Sequence, residues 1–251
     1  MEIIEVLSRW IHIVAGIMWI GLLYFFNFVN SAFAPTMDGD TKKKVVPELM
    51  PRTLYWFRWG AAWTWVSGVV LLLLVFYHGG LMFDQSHDWT GGAYIMLGVT
   101  FLGVFVYDLL FKSVKNTQAA TIIGFILIVL AVYGFREYGN FEYRAYVIHT
   151  GTMFGTIMAF NVWYRIWPAQ KQIITATKEG NAPDSAMLAL AGLRSKHNTY
   201  LSVPLVWTMI NAHHEGTPPQ SDWWWLPLLI LIGWGVVYLL YQNAAKRVKG
   251  F

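Results

Sequence analysis

The chain has 251 residues, of which 56% are hydrophobic, 17% aromatic and only 13% charged, with a formal net charge of +4. Soluble domains carry about 25% charged residues, so this composition excludes a disordered chain and argues against an ordinary water-soluble fold. Cysteine is absent, which excludes disulfides, thiolate zinc sites, iron–sulfur clusters and covalent c-type haem.

Seven apolar stretches approach the ~20 residues needed to cross a bilayer. In chain order the expected spans are about 7–33, 55–78, 91–112, 118–136, 144–167, 197–213 and 223–243. The apolar stretch of the second, Trp59 to Tyr77, carries no charge, and the third carries one acid, Asp108. The sixth is the weakest, polar at its start and interrupted by Pro204. The seventh opens on three tryptophans, with Pro227 in its first turns, where the missing N–H costs least. The expected fold is all-α: a polytopic seven-transmembrane helical bundle forming one domain over residues 1–251.

Lys and Arg orient the bundle. With the N-terminus outside, fifteen of the 18 basic residues fall in the inner segments, and only Arg9, Arg136 and Arg144 lie outside. The positive-inside rule then gives N-out and C-in. The surplus charge is a topology signal rather than a nucleic-acid surface, so no nucleic acid is expected as partner. It also suits anionic lipid. The opening MEIIEVLSRW lacks a basic n-region and a small-residue cleavage site, so it is expected to begin the first span rather than to be a removed signal. The long inner connection at 169–197 is expected to hold a short interfacial helix after Pro183, capped by Asp184 or Ser185.

Ionisable groups within spans mark candidate sites. Under this topology His12 and His149 lie about five residues inside spans one and five, at similar depth. His78 ends span two, and His213 and His214 end span six, all on the outer side; His87 is in an outer loop and His197 is at the inner side. Histidines from facing helices can hold haem b, and glycines follow His12 (Gly16) and His149 (Gly151, Gly155). The candidate cofactor-binding residues are His12, His149, His213 and His78, with His12 and His149 as the axial pair. The bland alternative is that a histidine near a helix end reaches headgroups, and that the 151–155 glycines serve helix contact. Asp108 and Lys112 are spaced for a favourable i,i+4 ion pair, the alternative being a proton-accepting Asp108. Asn161 and Asn198 are expected to join helices by hydrogen bonds. Trp56, Trp59, Trp63 and Trp65 exceed what an interfacial belt requires and are candidates for lining a haem edge.

Four blocks then resemble a known family: RWIHIVAGIMWIG (9–21), WFRWGAAWTWVSG (56–68), HTGTMFGTIMAFNVWYRIWPAQ (149–170) and RSKHNTYLSVPLVWTMINAHH (194–214), with VYDLL (106–110) fitting as well. They are similar to the membrane domain of the bacterial cytochrome c-linked urate oxidases, or urate hydroxylases. The resemblance implies a membrane oxidoreductase of the bacterial inner membrane that oxidises urate and passes electrons to a cytochrome c. The matching positions are His12, His149, Asn161, His197, Asn198, Tyr200 and His213. In that family a further helix and a c-type cytochrome domain follow; this chain ends at Phe251, so the expected acceptor is a separate c-type cytochrome. Gly60 stands about where the family carries an acid, and the segment at 35–58 is shorter and Lys-rich. The competing expectation is a non-catalytic accessory or scaffold subunit of a larger membrane complex.

Overall fold

The computed structural model describes residues 2–213 and 222–246, so His214 and the terminal basic residues Arg247 and Lys249 lie outside the described residues. Seven long helical runs follow one another, and no strand occurs among the described residues. They are α1 (Glu2–Thr36), α2 (Gly39–His78), α3 (Gly91–Ser113), α4 (Thr117–Tyr138), α5 (143–179), α6 (Ser185–Asn211) and α7 (Trp225–Lys246).

Local chemistry sets the helix ends. The Asp38, Thr90 and Asn116 side chains accept the backbone N–H of Thr41, Ala93 and Ala119, capping α2, α3 and α4. Gly180, at φ 81°, stops α5 in the left-handed region that a glycine enters without penalty. Asp184 accepts the Ala186 N–H at 2.8 Å and starts α6. The expected cap is therefore in place, but the expected short interfacial helix is not. From Ser185 to Asn211 the helix is continuous, running through Gly192 and Pro204 without a break.

Five of the helices, α1, α2, α3, α4 and α7, are long and apolar enough to cross a membrane. Their exposed faces are greasy: on α3, Leu102, Phe105 and Leu109 stand 60% or more exposed. Such faces suit lipid and not water. On α5 and α6 the buried positions include polar ones among the apolar: Thr150, Asn161, Asn198, Thr199, Ser202 and Thr208 are all fully buried.

Four π-helical segments occur among the described residues: Phe25–Asn30 within α1, Asn161–Ile166 within α5, and Leu72–His78 and Gly134–Tyr138 at the ends of α2 and α4. Each inserts an extra residue per turn and re-aims the side chains around it.

The contacts divide the chain into two compact units. One comprises Val69–Ile157 and Ser202–Trp234 and contains His78, His87, His149 and His213. The other comprises Glu2–Gly68, Met158–Leu201 and the segment from Gly235, and contains His12 and His197.

Candidate functional site

In the first unit the site centres on His149, which is fully buried. Its Nδ1 lies 2.6 Å from the Ala145 carbonyl oxygen, one turn back on α5. A carbonyl only accepts, so Nδ1 carries the proton and Nε2 of the neutral ring carries the lone pair. Nε2 in turn accepts the Tyr77 hydroxyl at 3.0 Å. Tyr77 sits in the π segment of α2. Phe135, from the π segment of α4, and Phe141 complete an aromatic cage, with ring centroids 6.0 and 4.7 Å from the imidazole. Trp89 meets Tyr77 edge-on at 5.8 Å and stacks on the exposed Tyr94 at 5.2 Å. An aromatic path thus runs from the surface to His149.

Gly151 serves helix contact. A Cβ there would stand 2.2 Å from Thr208 Oγ1, so α5 and α6 touch backbone to side chain at this level. Gly155 has open space beside it. His78 and His213 are exposed at the ends of α2 and α6, and His87 bonds Asp84 at 2.7 Å in an exposed loop. In that loop the Ser86 hydroxyl, and next the His87 ring, hold the Asp84 carboxyl below the usual carboxylate range. Asp108 is 6% exposed and pairs with Lys112 at 2.8 Å, the i,i+4 pair that the spacing predicts.

In the second unit α1 lies on α2 through His12. Its Nδ1 is 2.9 Å from the Thr64 carbonyl oxygen and 3.3 Å from Ser67 Oγ. The same argument places the proton on Nδ1 and leaves the lone pair on Nε2. Gly68 lets the imidazole lie against α2: a Cβ there would be 2.9 Å from His12 Cε1. Gly60 is closed in by Trp19 and the Ala15 carbonyl, which a Cβ there would meet at 3.3–3.4 Å, so any larger residue requires those neighbours to give by a few tenths of an ångström. Trp56, Trp59 and Trp63 are 56, 40 and 53% exposed and face outward.

The second unit also carries a polar face on α6. The Asn161 side-chain amide donates to Asn198 Oδ1 at 2.9 Å, and Asn198 donates to the Met158 carbonyl at 3.0 Å. Asn27 donates to Ser195 Oγ and accepts the Tyr241 hydroxyl, both at 2.8 Å. Asn27 and Asn161 both sit in π segments. Arg194, 1% exposed, and the half-buried His197 lie on the same stretch of α6. A buried cation in an apolar chain is costly, which makes Arg194 a candidate functional residue.

Among the described residues no three His, Asp or Glu side chains gather to hold a metal ion. A haem asks only for one or two imidazoles. His12 fits that demand, with Nδ1 anchored and Nε2 carrying the lone pair. At His149 the anchor is equally good, but an axial bond from Nε2 requires the Tyr77 hydroxyl to give way.

A family model described as urate oxidase N-terminal matches residues 1–250. The chain belongs to that family. No curated protein and no solved structure matches it. In this urate oxidase N-terminal chain the sequence blocks that carry the resemblance supply His12, Thr64, Ser67, His149, Asn161, Arg194 and Asn198 to the two sites. Sequence reasoning passes over Tyr77, Trp89, Asn27 and Arg194. Only Arg194 has a signal there, since it opens the polar run RSKHNTYLS inside a helix.

Proposed function

We propose that this chain is the membrane-embedded electron-transfer module of an oxidoreductase of the urate oxidase N-terminal family. It spans the bacterial inner membrane seven times, N-out and C-in, binds haem b, and passes electrons to a separate c-type cytochrome. The reaction class is oxidation of a small reduced substrate, urate by the family's description. The family match and the five apolar helices support this reading. The distribution of basic residues supports the orientation and the two further spans, α5 and α6.

The observation that carries the cofactor reading is His12. Its Nδ1 donates to a backbone carbonyl, which orients the ring and would leave Nε2 to hold a haem. When bound, the haem supplies one-electron redox chemistry. His149, His213 and His78 are the candidates for the second ligand. A dithionite-reduced minus oxidised spectrum of the purified protein tests the reading: a low-spin b-type spectrum is expected, and His12→Ala abolishes it while the protein still inserts. Absence of any haem band from the wild type overturns it.

A second reading is the accessory scaffold. The closed cage at His149, whose two ring nitrogens are both engaged, favours it. Haem with turnover supports the enzyme, haem without turnover the relay, and no haem the scaffold. Orientation is tested by single cysteines at Ser86 and Lys178. They are expected to label from opposite faces; labelling from the same face overturns N-out, C-in.

A further inference from the structure

We propose that Arg58 and Lys171, gathered on the indole of Trp167, bind the phosphate of an anionic phospholipid. The Arg58 guanidinium lies 3.7 Å from the Trp167 ring centroid and 5.3 Å from that of Trp163. Lys171 Nζ approaches the same Trp167 ring at 5.6 Å. The aromatic faces attract both cations. Both cations thus lie against one ring, and among the described residues neither is paired with a carboxylate. The Arg58 side chain spends its Nε on the Leu54 carbonyl at 3.3 Å. The remaining guanidinium fork suits a phosphate, which it can grip with two parallel bonds.

The setting selects a lipid over a dissolved anion. Both helices change character at this level. On α2 the charged stretch Lys42–Arg58 gives way to residues 59–77 without a charge. On α5, residues 145–164 carry no charge, and Arg165, Lys171 and Lys178 follow. The two cations therefore stand where apolar surface meets polar surface. Beside them Tyr55, Trp56, Trp59 and Trp63 form an exposed aromatic stripe along α2. Acyl chains can lie on that stripe while the headgroup reaches the cations, and tryptophan is suited to the interface between the two. A free phosphate has no use for the stripe.

The test uses the full chain, purified in detergent and stripped of lipid. Binding of phosphatidylglycerol and of phosphatidylcholine is read by native mass spectrometry. Wild type is expected to prefer phosphatidylglycerol about twenty-fivefold, about fivefold for each of two basic residues at a membrane surface. Lys171→Gln, at an exposed side chain that the fold does not need, is expected to lose about fivefold in that affinity. The double variant Arg58→Gln/Lys171→Gln is expected to lose the preference. Equal binding of the two lipids by wild type overturns the proposal, as does unchanged phosphatidylglycerol binding by Lys171→Gln. Displacement of phosphatidylglycerol by an equal concentration of inorganic phosphate overturns it too, showing a free-anion site.

Discussion

The Tyr77 hydroxyl donates to His149 Nε2 at 3.0 Å across 72 residues of chain. The pair joins the π segment of α2 to the most buried stretch of α5. With Nδ1 already on the Ala145 carbonyl, this bond completes the hydrogen bonding of a histidine that has no access to water. It also occupies the nitrogen that an iron would need. Tyr77→Phe removes the donor and leaves Nε2 as a buried, unsatisfied acceptor, which costs about 1–3 kcal/mol. The expected result is a lower melting temperature in detergent. If His149 ligates haem, the same variant raises haem occupancy, because nothing competes for Nε2. A variant with unchanged stability and unchanged haem content would show that the bond matters to neither.

Gly151 gives a sharper test of the helix contact. A methyl group there meets Thr208 Oγ1 at 2.2 Å and Met209 Cε at 3.1 Å. The Thr208 side chain is fully buried and held to the Leu205 carbonyl, so it has nowhere to go. Gly151→Ala is expected to cost about 1–3 kcal/mol through overpacking. Thr208→Ala removes the clashing oxygen and is expected to restore most of the loss in the double variant. Thermal denaturation of the four proteins checks this, and strict additivity would rule out the contact as the cause.

Asn161 and Asn198 were each legible as helix-joining residues, because an amide in apolar surroundings needs a partner. That they bond each other, and that Asn198 also reaches the Met158 carbonyl, was not, since the π turn at Asn161–Ile166 displaces the register that periodicity gives. The same holds for Tyr77 and Phe135: periodicity assigns them to helices, but an inserted residue decides where they point. Helix existence came through for the apolar runs α1, α2, α3, α4 and α7. The start of α6 did not, because a charged amphipathic stretch and a polar buried one read as two pieces when nothing between them breaks the helix. Interhelical hydrogen bonds in membranes average about 0.6 kcal/mol. The coupling between Asn161→Ala and Asn198→Ala is therefore expected to be modest, below about 2 kcal/mol, in a double-mutant cycle read by melting; zero coupling would mean the two amides are satisfied separately.

Gly68 offers a way to disturb His12 without touching it. A Cβ at this position falls 2.9 Å from His12 Cε1 and 3.2 Å from Nδ1. The ring is the far end of a side chain and can swing, so Gly68→Ala does not force the backbones of α1 and α2 apart. Swinging breaks the bond from Nδ1 to the Thr64 carbonyl, worth about 1 kcal/mol. Replacing a helical glycine by alanine returns about 0.5–1 kcal/mol. The two nearly cancel, and the melting temperature is expected to stay close to wild type. The histidine itself does not keep its orientation. If His12 is an axial ligand, Gly68→Ala shifts or weakens the low-spin b-type spectrum at unchanged stability, while Gly98→Ala, where a Cβ meets open space on α3, leaves it alone. Nitrogen-15 resonances of labelled histidine supply a readout that needs no haem, since loss of the Thr64 bond moves the Nδ1 signal of His12. A spectrum and an Nδ1 signal both identical to wild type would mean that the imidazole is not held against α2 and that His12 is not the anchored ligand.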